Sequence, residues 1–253
     1  MKISLYYHSR IFQLRLIVIV MNSYEKLKEL KRWDQRQILK YNGYGGKRFT
    51  YILRVISFMG RETIWLLFIV YFSFIWFDPK IFSYIGIGYL LGIIIVVPIK
   101  QIIRRTRPSN ELEDVVLYER KSTSGSFPSW HSYNAASQAI IIGYIVASPT
   151  IVILLLGGAG LVAFSRVQLG SHYPSDAIVG YGIGIIGAII TIFIFGPLLY
   201  NLILQLNSLS TIQFDFYMFN SHLYTNILYL IICVIIFGSI ILLSSLRYIK
   251  GVL

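Results

Sequence analysis

Acidic residues are scarce in this chain, and so is charge of either sign. The sequence holds 11 Asp and Glu against 23 Lys and Arg, and charged residues fill only 13% of its 253 positions. Soluble domains carry about 25%, so a water-facing globular surface is excluded for most of the chain. Cysteine occurs once, as Cys233 inside an apolar run, which rules out an intramolecular disulfide and leaves the redox compartment unread. No cleavable leader is expected from the apolar stretch 11–21, which is short, broken by Arg15, and lacks a small-residue cleavage site. Met21 opens a more coherent amphipathic segment, which leaves an upstream mis-start as an alternative reading of residues 1–20. Repeats and low-complexity tracts are absent. The net charge of +12 allows nucleic acid, an anionic membrane surface or an anionic substrate as partner. No polar domain is present to hold nucleic acid, which leaves the bilayer and an anionic substrate.

What the chain does have is apolar length, with 56% hydrophobic residues. A spanning helix needs about 20 mainly apolar residues. Six stretches reach or approach that: 64–77 (extended backwards through 52–58), 82–99, 133–147, 151–164, 177–200 and 223–246. The third and fourth are short and rich in Gly, Ala and Ser, as suits close helix packing. Ahead of them, 22–41 places Leu27, Leu30, Trp33 and Ile38 near helical spacing, with Lys and Arg opposite. That pattern predicts an interfacial amphipathic helix, with a solvated tail helix as the plainer alternative. Residues 201–222 contain no Lys or Arg and several aromatics, and read as a loop dipping into the interface. The expected fold is therefore all-α: a polytopic membrane bundle of about six helices. Residues 1–50 would form the N-terminal segment, 51–200 the core, and 201–253 a loop with a terminal span.

Polar residues are unevenly placed. Counting crossings puts the end of the second span, the start of the third and the junction of the fourth and fifth on one face, while the other face is nearly blank. The loaded face carries Lys100, Arg104, Arg105, Arg107, His131, Arg166, His172 and Asp176. Arginine forks fit phosphate oxygens in paired hydrogen bonds, and lysine adds a point charge. Arg104 and Arg105 read as ordinary positive charge flanking a helix end. Lys100, Arg107 and Arg166 keep company with two histidines, which argues for anion binding. Asp176, four residues after His172, suits either a carboxylate that fixes the imidazole tautomer or an N-cap of the fifth span. Ser129 precedes the third span, where a helix N-terminus favours an anion. Gly125 and Gly170 allow tight turns nearby. Glu111, Glu113, Asp114 and Glu119 read as a solvated loop.

These residues compose three signatures: Lys100 to Arg107-Pro108, then Pro128-Ser129-Trp130-His131, then Ser165-Arg166 to His172 and Asp176. Together they resemble the type 2 phosphatidic acid phosphatase superfamily, over about residues 62 to 200. Every charged and histidine position matches in order and internal spacing. Trp130 departs from the pattern by standing where the family has glycine; its backbone N–H can still meet a phosphate, while the indole would narrow the pocket or wall it for a lipid. The resemblance implies a membrane phosphatase of lipid phosphates or diphosphates that needs no metal or other cofactor. It implies His172 as nucleophile oriented by Asp176, His131 as the acid and then base, and Lys100, Arg107, Arg166, Ser129 and the Trp130 N–H around the phosphate. A phosphotransferase would use the same residues. A lipid-binding bundle and a metal site built from His131, His172 and Asp176 are the readings from other classes. Charge bias would put the loaded face in the cytoplasm, whereas the family's prokaryotic members imply a cell-membrane protein with its site outside.

Overall fold

The computed structural model describes residues 24–211 and 214–249, so the stretch 11–21 and the Met21 start lie outside it. Helix α1 (24–41) leads through a turn into α2 (Gly46–Ser57), a 3₁₀ turn (Phe58–Gly60) and α3 (Glu62–Val70), which ends in a π turn. Beyond it come α4 (Pro79–Ile103), short α5 (Pro108–Glu111), α6 (Trp130–Ile145), α7 (Pro149–Gln168) and α8 (Pro174–Ile190). A second π turn joins α8 to α9 (Gly196–Leu209), and short α10 (His222–Thr225) precedes α11 (Ile227–Ile249). Helix starts carry their expected chemistry: Asp78 accepts the Ile81 N–H at 2.9 Å ahead of Pro79, and Ser148 accepts from Ile151 ahead of Pro149.

This is an all-helical membrane protein. Segments Pro79–Glu111, Pro149–Gln168, Pro174–Leu209 and Ile227–Leu246 are long and apolar enough to cross a bilayer. A fifth span results if Gly46–Gly60 and Glu62–Ile75, bent by 44°, are taken together. The remaining stretch of the six expected is α6, which has 16 residues and is therefore about 24 Å long. Its surroundings explain its length and composition. It runs through the middle of the bundle between α4, α7 and α8, so it faces protein rather than lipid. It accordingly tolerates Asn134 and Gln138, whose amides donate to the backbone oxygens of Gly60 (3.3 Å) and Ile85 (3.2 Å). Glycine makes its contact with α8 close: a Cβ on Gly180 would lie 2.4 Å from the Ser129 carbonyl, and one on Gly184 2.5 Å from that of Tyr133.

Two expectations change in detail. Residues 201–209, read as loop, continue α9; irregular backbone begins only at Ser210, and it packs back on the end of the α3 segment through Asn220 N–H to Ile75 O (2.9 Å). Helix α1 forms where the periodicity places it, but its later half is docked on protein. Ile38 is buried with Val115, Val167, Tyr173 and Ala177, while Leu27 and Leu30 stay exposed. The polar face of α1 is not uniform either: Asp34, among the basic residues, is fully buried.

Candidate active site

Chain reversal at the end of α4 assembles the site. Arg104 takes a left-handed conformation (φ 46°) and closes the helix with its N–H on Lys100 O at 3.1 Å. The chain then returns toward the junction of α7 and α8. Lys100 Nζ donates to Gly125 O at 2.9 Å, and Ser126 N–H donates to Arg105 O at 2.8 Å, tying the loop before α6 to this turn. At the junction Gly170 adopts φ 77°, where a Cβ would strike Val116 O at 2.5 Å; that turn presents Ser171 and His172 to Arg107.

His172 is 2% exposed. Its Nε2 lies 3.3 Å from Arg107 Nη1. Arginine only donates, so Nε2 is the lone-pair nitrogen and Nδ1 carries the proton. Nδ1 faces Asp176 Oδ2 at 3.8 Å, too long for a hydrogen bond. Asp176 instead accepts from Arg105 Nη1 (2.7 Å), the Tyr173 N–H (2.9 Å) and Ser126 Oγ. Both sequence readings of Asp176 change in detail: Tyr173 is the N-cap of α8 and Asp176 caps it from the third helical position, and it stands behind the histidine without a hydrogen bond to the ring. Burial, then Arg107, Lys100 and Arg166, hold the His172 imidazole well below its ordinary pKa; burial, then Arg166 and His172, do the same to His131. Both rings are neutral at pH 7 in this state.

Arg166, 3% exposed, donates from Nη1 to Ser57 Oγ at 2.5 Å and to Glu119 Oε2 at 2.7 Å, and from Nη2 to Glu119 Oε1. Ser171 Oγ donates to the same carboxylate. Burial pushes the Glu119 carboxyl up, but Arg166 and Ser171 outweigh it and hold it below the usual range. Glu119 is thus not the solvated loop residue expected, because Arg166 draws it inward. Glu111 also has partners, Lys31 Nζ (2.7 Å) and Tyr173 O–H (2.8 Å), while Glu113 and Asp114 are exposed as expected. Arg105 is a second correction. It is no flanking charge but a bridge from Asp176 to Asp34, whose Oδ2 it meets at 2.6 Å.

Lys100, Arg107, Arg166, His131 and His172 line one cleft of about 1290 Å³, together with Tyr89, Ile93, Val97 and Trp130. The Trp130 indole lies along Tyr133 (centroids 5.9 Å, 18°) and edge-on to Tyr89 (5.7 Å, 79°), forming an aromatic wall. Ser129 and Asp176, both fully buried, sit behind the lining. Ser129 Oγ accepts from Ser132 N–H and Oγ as the cap of α6. Among the described residues no three His, Cys, Asp or Glu side chains are gathered as a metal-ligand set.

Comparison with known proteins matches residues 80–199 to the PAP2 superfamily. An undecaprenyl-diphosphatase of Sulfolobus acidocaldarius is 30% identical over 130 residues, 51% of this chain and 62% of that one. The decaprenylphosphoryl-5-phosphoribose phosphatase of Mycobacterium tuberculosis is 34% identical over 106 residues, 42% of this chain and 56% of that one. The chain thus spans less than two thirds of the length of these relatives. In fold it resembles the transmembrane PAP2-type phosphatidylglycerolphosphate phosphatase of Bacillus subtilis, with TM-score 0.56 and 22% identity over 64% of this chain and 84% of that one. The segment from α4 to the start of α9, which supplies all three signatures, is a PAP2 superfamily domain.

Proposed function

We propose that the protein hydrolyses a lipid phosphate or diphosphate monoester through a phosphohistidine on His172. The observation that carries this reading is the contact of His172 Nε2 with the Arg107 guanidinium in a cleft that also presents Lys100 and Arg166. Those three cations neutralise the equatorial phosphate oxygens, and Trp130 contributes the N–H at the N-terminus of α6. The sequence expectation for Ser129 changes, since it caps that helix from behind the lining with its own N–H on Asp176 O (2.9 Å). The lone pair of Nε2 attacks phosphorus, and the bond to the leaving alkoxide or phosphate breaks. His131 supplies a proton to that oxygen; a bound anion opposes the burial and the cations that together keep His131 neutral. His131 then takes a proton from water, whose oxygen attacks phosphorus as the P–N bond breaks, releasing phosphate and restoring His172. We take the reaction as independent of metal, since the arginines and lysine would repel a cation from the histidines.

Tyr89, Ile93 and Val97 on the membrane-spanning α4, with Trp130 at the start of α6, give the same cleft an apolar side, which suits a lipid tail. The relatives' names refer to undecaprenyl diphosphate and decaprenylphosphoryl-5-phosphoribose. A polyprenyl-linked phosphate is accordingly the first candidate, ahead of phosphatidate, phosphatidylglycerophosphate and lipid A. We place the protein in a prokaryotic cell membrane with its site outside the cytoplasm. The basic residues of α1 share the site's face and argue the other way, so labelling must decide: Thr123→Cys, exposed on the cleft's loop, should react with a membrane-impermeant maleimide, and reaction with permeant reagents alone would reverse the assignment.

The test of function is phosphate release by the purified protein in detergent from those four lipids, with His172→Ala alongside. Release from one of them, lost in the variant, is the expected outcome. No release from any, or equal release from the variant, refutes the reading; phosphate passed to an added alcohol rather than water makes the protein a transferase.

A further inference from the structure

We propose that Asp34, on the N-terminal helix α1, is a positioning residue for catalysis that acts through Arg105 to keep Asp176 an effective anion behind His172. The inference rests on the phosphohistidine reading above. Asp34 is fully buried. Its Oδ1 accepts the Ser175 N–H at 2.9 Å, a first-turn donor of α8 with no partner inside its own helix. Its Oδ2 accepts from Ser175 Oγ at 2.5 Å and Arg105 Nη2 at 2.6 Å. The other end of the same guanidinium donates to Asp176 Oδ1 at 2.7 Å, and its plane lies 4.2 Å from the Tyr173 ring centre. One cation therefore joins two carboxylates from two helices, one of them four residues from the nucleophile.

Charge explains why the second carboxylate matters. Arg105 and Asp176 alone would sum to zero, leaving little negative field at His172. Asp34 returns the trio to a net −1. An imidazole that attacks phosphorus through Nε2 while Nδ1 keeps its proton becomes positively charged, and a negative group behind it stabilises that charge. On the cleft side the groups acting on His172 are Arg107, Lys100, Arg166 and Glu119, with His131 also close enough to interact. Three cations and one carboxylate leave that side positive, so the compensation has to come from the rear. Asp34 precedes residues 80–199, so it lies outside the PAP2 domain and no signature marks it.

The experiment measures kcat and KM against pH for the full chain in detergent, on whichever of the four lipids the wild type cleaves fastest. Wild type, Asp34→Asn, Arg105→Gln and the double variant are compared. Asp34→Asn is expected to lower kcat about tenfold with KM little changed. It should also move the acid limb down by about half a pH unit, because losing a negative charge lowers the pKa of His172. Arg105→Gln should move the limb up, and the double variant, whose trio is again −1, should restore it. A misfolded fraction lowers kcat without moving a limb. Asp34→Asn indistinguishable from wild type, or single variants that lose activity with unmoved limbs, overturns the inference; if Asp34→Asn is not recovered folded, the limb of Arg105→Gln decides. His172→Ala that stays active would instead sink the phosphohistidine reading itself.

Discussion

Behind His172, one cation is shared by two carboxylates; in front of it, three cations share one. The rear set is Arg105 between Asp34 and Asp176. The front set is Lys100, Arg107 and Arg166 with Glu119. Both sets are sheltered from water, where charges interact more strongly than on a surface. They nevertheless have opposite surplus, and the imidazole sits at the boundary. On the proposed mechanism, a neutral cup would bind phosphate weakly, and a neutral rear would leave the phosphorylated histidine uncompensated. If His172 is the nucleophile as proposed, the pairing teaches that it is set by a field rather than by a hydrogen bond, which fits the 3.8 Å gap between His172 and Asp176.

The comparison breaks first at Arg166. Arg166→Lys keeps the front charge but cannot take the Glu119 carboxylate with two nitrogens while also holding Ser57. If geometry as well as sign matters in front, kcat/KM for lipid phosphate hydrolysis should fall about 100-fold. A loss of less than about threefold would show that the front set is only a pool of charge.

A smaller effect is expected at Glu119, the one front residue of opposite sign. Glu119→Gln raises the front surplus by one charge. Inhibition by inorganic phosphate should then tighten roughly tenfold, with kcat lowered only a few-fold, read from phosphate titrations of the hydrolysis rate. Weaker inhibition in the variant would mean that Glu119 serves chiefly to hold Arg166 in place.

How far the sequence foretells these sets depends on how local each is. His172 and Asp176 are four residues apart across one turn, so their meeting needs no knowledge of the fold. Lys100 and Arg107 share a helix end, and the histidines fall on one face by counting crossings. Arg105 and Asp34 are 71 residues apart and meet only because α1 docks on Tyr173 and Ala177; in sequence each is an ordinary charge among basic neighbours. Glu119 is hidden for a related reason, since a carboxylate in a polar loop reads as solvated until Arg166 and Ser171 are known to converge on it. The fold shows the same split. Apolar runs reveal the lipid-facing helices, whereas α6 counts as one more span in sequence although its neighbours are helices on several sides. Hydropathy reports the solvent a helix meets, and α6 meets protein.

Trp130 lies outside both ion sets, and a change there sharpens the comparison by leaving the field alone. Its indole packs on Tyr133 and Tyr89 along the apolar side of the cleft. Trp130→Gly removes that wall without altering any charge and keeps the backbone N–H at the start of α6. The phosphate end should therefore be untouched: inhibition by inorganic phosphate should match wild type, and kcat should stay within about threefold. The lipid end should weaken, because losing about 50 Å² of apolar contact costs about 1 kcal/mol, or roughly a fivefold rise in KM. Measured side by side on a long-chain lipid phosphate and a water-soluble phosphate monoester, the rise should appear only with the lipid. Equal losses on both substrates would place Trp130 in the phosphate site itself and merge the apolar wall with the front of the cup.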